Sequence, residues 1–107
     1  MSEFDRRKQG FESFFALSEA LRFKALSRRN QTIGRWAAEK LALTGEAAER
    51  YAEDFGKVQI ERKDDDTLIA RLHEEFVNAG VEVSAHRIRR KFEAAMNDAI
   101  TEVQAGK

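Results

Sequence analysis

The chain contains no cysteine and no proline among its 107 residues. Without cysteine, disulfide bonds and thiolate metal sites are excluded. Without proline, and with 36% charged residues, the composition favours long helices with a solvated face over a sandwich or a barrel. A chain of 107 residues has room for one domain with one modest core. We therefore predict an all-α protein.

Long apolar runs are absent as well. No stretch approaches the roughly 18 apolar residues of a membrane span. The N-terminal sequence MSEFDRRKQG lacks the apolar centre of a signal peptide. We therefore expect a cytoplasmic protein without direct membrane insertion.

Motifs that carry catalysis or bind metals are also missing. The six glycines are scattered singly, so the sequence has no glycine-rich phosphate loop. His73 and His86 are the only histidines, and they lack the HExxH spacing that places two histidines on one metal. The run Asp64-Asp65-Asp66 lacks the glycine and final glutamate of a calcium loop and is typical of a turn and helix cap. The sequence predicts no enzyme, no metal site and no required cofactor.

Charge is balanced in total but unevenly distributed. Nineteen basic and nineteen acidic residues cancel, which argues against the alternative of a nucleic-acid binder. Between Glu19 and Glu39 the chain has no acid, whereas residues 44–82 hold eleven acidic residues against five lysines and arginines. Like charges on adjacent helical turns repel each other, so this basic segment is expected to face an anionic partner or the acidic middle of its own chain. The basic residues concerned are Arg22, Lys24, Arg28, Arg29 and Arg35.

Apolar residues recur at helical spacing in four stretches. The first helix is predicted from Phe11 to Leu43, and Ser84 is a good cap for the fourth. An aspartate of the acidic turn can cap the third. Short connections imply antiparallel neighbours and hence a four-helix bundle with one long N-terminal helix, or three shorter helices folded against that long one. The predicted apolar positions are Phe23, Leu26, Ile33, Ala37 and Leu41, with Trp36 beside them and Asn30 among them; Ala48, Tyr51, Ala52, Phe55 and Val58; Leu68, Ile69, Leu72 and Phe76; and Ile88, Phe92, Ala95, Ala99 and Val103.

Two features of the chain leave alternatives open. The aromatic N-terminal segment, interleaved with basic residues, either completes the core or docks as an amphipathic helix in a partner's groove. Arg28-Arg29-Asn30 either pair with the acidic middle or contact an anion or nucleotide. Trp36 is interpreted as a core ring rather than a platform for ligand stacking.

The sequence also carries a set of motifs that resembles one family. The motifs are FDxR from Phe4, Phe11-Glu12, Phe15-Ala16, Leu21-x-Phe23-Lys24-Ala25, Arg28-Arg29-Asn30, Gly34-x-Trp36-Ala37-Ala38 and Tyr51-Ala52. Together they resemble the zeta subunit of the alphaproteobacterial F-type ATP synthase, an ATPase-inhibitor family. The chain departs from the family pattern at several positions, among them Phe14, where a lysine is usual, and Ala42, where a glycine is expected.

The resemblance implies a function and a division of the chain. Residues 1–18 would form a mobile inhibitory segment that becomes helical and enters the catalytic head of the synthase, and residues 19–107 would form the bundle. The protein would be monomeric when free, would bind no nucleic acid, and would lie at the inner membrane only through the synthase. Family members are also associated with adenine nucleotides, for which Arg28, Arg29, Asn30 and Trp36 are the candidate contacts. The partner-binding residues that the resemblance implies are Phe4, Asp5, Arg7, Phe11, Glu12 and Phe15, and Phe14 is added to them as a further aromatic residue of the same segment. The alternative is a helical adaptor, or a nucleotide-binding regulator, that kept the bundle and lost the inhibitory contacts.

Overall fold

The computed structural model describes residue 10, residues 12–58 and residues 64–107. Four long helices account for most of this part of the chain, and no strand occurs in it. Residues 12–15 are also helical and precede the first long helix. The prediction of an all-α protein is therefore confirmed. The four helices are α1 (Glu19–Lys40), α2 (Gly45–Val58), α3 (Asp65–Asn78) and α4 (Ala85–Gln104).

Short polar side chains cap the starts of three helices. The Asp64 carboxylate accepts from the backbone N–H of Thr67 at 2.7 Å, and the Ser84 hydroxyl accepts from that of Arg87 at 3.1 Å. Both caps were predicted and are confirmed. The bond from the Thr67 N–H also holds the pKa of the Asp64 carboxyl below its ordinary value.

The third cap corrects the predicted start of the first helix. A continuous helix from Phe11 was expected, but α1 begins at Glu19 and Ser18 caps it, accepting from the Leu21 N–H at 3.3 Å. Ser18 has an extended backbone, with φ −62° and ψ 161°, so no helix continues through it. The serine hydroxyl accepts a backbone hydrogen bond that replaces one within a helix. The spacing of apolar residues does not indicate such a bond.

Helices α1, α3 and α4 end in the same motif, in which a backbone N–H donates to the carbonyl oxygen five residues earlier. After α3 the Val81 N–H donates to Phe76 O at 2.8 Å, and Gly80 between them has φ +74°. After α1 the Leu43 N–H donates to Ala38 O at 2.9 Å. The residue in the left-handed position there is Ala42, with φ +60°. A Cβ makes this conformation unfavourable, which glycine avoids.

Ala42→Gly is therefore expected to stabilise the protein, by about 0.5–1 kcal/mol after the larger chain entropy of glycine is subtracted. The matched control is Ala79→Gly, which lies at the end of α3 with a negative φ of −91° and should lose stability slightly. Urea denaturation followed by circular dichroism measures both. Equal effects of the two changes would contradict the assigned strain at Ala42.

The main core lies between α1, α3 and α4. Each helix contributes fully buried apolar side chains to it, including Ile33, Phe76 and Ile88, and partly buried side chains of α2 close one side. Tyr51 of α2 donates to Glu75 of α3 at 2.6 Å, and its burial followed by this hydrogen bond raises the pKa of the Tyr51 hydroxyl. The predicted apolar positions of α3 and α4 are all buried and so are confirmed.

The predicted buried face of α1 is partly wrong. Phe23 was placed in the core but is 64% exposed, and Leu26 and Trp36 are only partly buried. The helix packs against both α2 and α4, and besides the predicted Ile33 and Ala37 it buries a set of small and polar residues. These are Ala25, Arg29, Asn30, Gly34 and Ala38. At Gly34 an added Cβ would lie 2.8 Å from Ala52 Cα of α2, so the two backbones approach closely there.

Candidate functional site

The predicted partner-binding residues all lie within the first fifteen residues of the chain. Phe4, Asp5, Arg7 and Phe11 fall outside the residues that the structure describes. The other three, Glu12, Phe14 and Phe15, lie on helical residues 12–15, before the interruption at Ser18. Glu12 is exposed and Phe14 is partly buried.

Phe15 is the more exposed of the two phenylalanine rings that the structure describes in this segment. Its side chain is 53% exposed, and it meets Phe14 edge to face with 5.2 Å between ring centroids. Arg22 lies on the first turn of α1, and its guanidinium carbon is 5.5 Å from the centroid of the Phe15 ring. The pair of rings therefore offers an aromatic surface beside a cation, a combination suited to contact with another molecule.

Leu17 anchors the end of the segment in a second, smaller core. This side chain is only 8% exposed and packs with Ala25 of α1 and with residues of α4. Phe14, Leu21 and Met96 pack around the same cluster. The sequence analysis assigned Leu17 no packing role, and helical spacing could not have done so, because the extended backbone at Ser18 separates Leu17 from α1. The α4 members of the cluster are Ala99, Ile100 and Val103.

A cavity of about 490 Å³ lies between the segment, α1 and α4. Aromatic and apolar side chains make up much of its wall, and basic groups stand among them. Phe14 and Phe15 both line it, so the predicted contact rings border a concave surface of their own chain. Other lining residues are Leu26, Arg29, Arg90, Phe92 and Met96.

Arg29 lies in the wall of this cavity and is 2% exposed. Its guanidinium donates to Asp65 at 2.9 Å and to Asn30 Oδ1 at 3.0 Å, and it stacks 5.1 Å from the Phe92 ring centroid. A buried guanidinium needs such partners because desolvating a charge is costly. Asp65 belongs to the acidic middle of the chain, so for Arg29 the internal pairing occurs.

Arg28 points to a different partner. Its guanidinium donates to Glu102 of α4 at 2.8 Å, and both side chains are partly exposed. Glu102 lies beyond residues 44–82, so this pair does not involve the acidic middle. It ties α1 to the C-terminal end of α4 at a modest energetic gain, as expected for exposed ions.

Trp36 lies two turns further along α1 and packs into the main core. Its ring meets Phe76 edge to face at 5.7 Å, and the Lys91 ammonium lies 5.8 Å from its centroid. The interpretation of Trp36 as a packing ring agrees with these contacts, although the ring is only partly buried. Arg28, Arg29 and Trp36 thus make separate internal contacts, and a nucleotide site built from them stays a prediction.

The internal role of Arg29 has a measurable consequence. Asp65→Ala is expected to lower the free energy of unfolding by about 1.5–3 kcal/mol, because the buried guanidinium loses a charged hydrogen bond. Asp66→Ala is the control, since Asp66 occupies the same first turn of α3 but pairs with Arg89 at the surface, at 2.7 Å. Its loss should cost at most about 1 kcal/mol. Similar urea midpoints for both variants would contradict the assigned burial.

The described residues contain no group of three or more histidine, cysteine or acidic side chains that could hold a metal ion. Nor is any helix in this part of the chain long and apolar enough to cross a membrane. The basic run at the start of α4, which contributes Arg89 and Lys91 to the contacts above, was not identified from the sequence as a feature of its own.

Comparison with known proteins agrees with the motifs. A search of curated proteins found no match to the chain. A model of the family described as ATPase inhibitor subunit zeta matches residues 1–102. This match includes the N-terminal aromatic segment, the first three helices and all but the last two residues of α4, and it confirms the resemblance drawn from the sequence. The chain therefore belongs to the ATPase inhibitor subunit zeta family.

Proposed function

We propose that this chain inhibits ATP hydrolysis by the F-type ATP synthase by inserting its N-terminal segment into the catalytic head. The observation that carries the proposal is the position of Phe15, a half-exposed ring on a helical turn ahead of the bundle. Exposed aromatic side chains on a short helix are typical anchors for a partner's groove.

Membership of an ATPase inhibitor family makes the chain a regulatory protein and not an enzyme. The finer statement, that inhibition proceeds by insertion, is our proposal. Residues 1–18 supply the inserted part, and the bundle of residues 19–107 holds it at the head. Inserted there, the segment blocks rotation in the hydrolytic direction, as the mitochondrial inhibitor protein does.

The energetics of insertion are favourable but modest. Burying a phenylalanine side chain contributes about 1.5–3 kcal/mol, and Phe11, Phe14 and Phe15 supply three such rings. Ordering the segment on binding costs about 2–5 kcal/mol, which reduces this gain. Charged contacts are therefore needed as well, and the sequence places Arg6, Arg7 and Lys8 within the segment to steer it towards an acidic surface.

The proposal also fixes where the protein acts. Bound to the catalytic head, the chain lies on the cytoplasmic side of the inner membrane and is held there by the synthase alone. The partner contacts are then protein to protein, with no nucleic acid, no lipid insertion and no cofactor required.

The test is a titration of the purified chain into the soluble catalytic head of the synthase from the same organism. ATP hydrolysis is expected to fall along a saturable curve to a small residual rate. An unchanged rate at large excess of the chain would overturn the proposal and would favour the helical adaptor instead.

A further inference from the structure

The segment proposed to enter the head also packs against its own bundle. At its start, a Cβ added to Gly10 would lie 3.1 Å from Asn97 Oδ1 of α4. At its end, Leu17 is buried with Ile100 of α4. Between these two points Phe14 packs around the same cluster as Met96. The segment thus lies against α4 or the second cluster at three described positions, Gly10, Phe14 and Leu17.

Two backbone features separate this segment from α1. The Ala16 N–H donates to Glu12 O at 3.0 Å and the Leu17 N–H to Phe14 O at 3.1 Å, which completes one short helical unit. Ser18 then has an extended backbone and starts α1 afresh. The unit is therefore joined to α1 by a non-helical link, and it can leave α4 without unwinding α1.

Phe14 cannot pack on α4 and on the catalytic head at the same time. Insertion therefore has to break the contact with α4 first, or to exchange it for the new one. When only a fraction of molecules has the segment released, the apparent dissociation constant is raised by the inverse of that fraction.

We infer that the α4 surface around Met96, Asn97 and Ile100 is a self-docking seat that competes with the catalytic head for the N-terminal segment. The inference rests on the proposed function and adds a regulatory step to it. The inhibitor is held in a closed form by its own bundle, and inhibition strengthens when the seat is weakened. The α4 surface thus opposes inhibition by holding Gly10, Phe14 and Leu17 of the segment.

A reversible disulfide tests the seat. The chain has no cysteine of its own, and Gly10→Cys with Asn97→Cys places two thiols where the segment meets α4, since an added Cβ at position 10 lies 3.1 Å from Asn97 Oδ1. Oxidation is expected to raise the half-inhibitory concentration about tenfold or more, and a reductant should restore it. Each single-cysteine variant, treated identically, is the control. A short thiol-to-thiol cross-linker replaces the disulfide if mass spectrometry shows that the bond does not close.

The outcomes separate this inference from the proposed function. If the oxidised and reduced forms inhibit equally, the seat does not compete and the inference is wrong. If the reduced form and the unmodified chain both fail to inhibit, the proposed function itself is wrong.

A second variant distinguishes competition from a simple mechanical restraint. Met96→Ala lies on α4 and leaves every residue of the segment unchanged. It is expected to lower the half-inhibitory concentration about two- to tenfold and to reduce amide-exchange protection at residues 12–17. Inhibition that is unchanged or weaker, with that protection reduced, would overturn the inference.

Discussion

Phe76→Ala is expected to lower the free energy of unfolding by about 3–5 kcal/mol. Phe76 is completely buried on α3, and its ring supports Trp36 of α1 at 5.7 Å. Truncation leaves a cavity at the point where α1 and α3 meet in the main core. Small domains are stable by only about 5–15 kcal/mol, so the variant loses a large share of its stability.

Val77→Ala is the matched control, because Val77 follows Phe76 on α3 and is exposed. It should change the urea midpoint only slightly. From the sequence alone Trp36 is the more obvious core aromatic, but its ring is only partly buried. An effect of Phe76→Ala no larger than that of Val77→Ala would contradict the described core.

Deletion of residues 1–15 is expected to abolish inhibition while leaving the bundle folded. The deletion removes all seven predicted partner-binding residues, from Phe4 to Phe15. It keeps Leu17, which is buried in the second cluster, and Ser18, which caps α1. The loss of Phe14 packing should cost no more than about 1.5–3 kcal/mol of stability.

Circular dichroism and the hydrolysis titration measure the two parts of this prediction separately. A further deletion through residue 18 is the comparison, because it also removes Leu17 and the cap and should destabilise the bundle more. Full inhibition by the folded 1–15 deletion would show that the inhibitory contacts lie in the bundle.

The sequence predicts α3 and α4 well for physical reasons. Each begins at a short polar cap, Asp64 or Ser84, and each presents one apolar face at helical spacing. The face of α3 packs into the main core, and the face of α4 packs into the main core and, further along, into the second cluster. Because each helix buries one continuous face, the period of the apolar residues identifies the buried side directly. The local and tertiary preferences of these helices agree.

The first helix shows where such reasoning fails. It packs against two neighbours, and close approach at Gly34 depends on the absence of a side chain rather than on an apolar one. Large size and low polarity favoured Phe23 for the core, yet Ala25 is buried and Phe23 is not. The burial of Arg29 depends on Asp65, which lies 36 residues away in the sequence. Periodicity within one helix contains no information about that partner.

From the residues alone, the candidate site stayed one of two alternatives, and the family motifs favoured it. Its residues are proposed to act on a second molecule, and neither composition nor periodicity distinguishes such residues from core aromatics. Phe15 illustrates this, because the sequence was compatible both with a core position for this ring and with a contact to a partner, and its exposure favours the second. Leu17, only two positions after Phe15, is by contrast a buried core residue, and its apolar side chain alone does not distinguish it from Phe15.

The most direct test of the central claim is photo-cross-linking from the segment to the catalytic head. A photoreactive phenylalanine analogue is placed at Phe15 in one protein and at Phe23 in a control, since both rings are more than half exposed. Insertion predicts that the analogue at position 15 attaches to a subunit of the catalytic head, whereas the analogue at position 23 attaches weakly or not at all. Full inhibition with attachment from position 23 and none from position 15 would contradict the account.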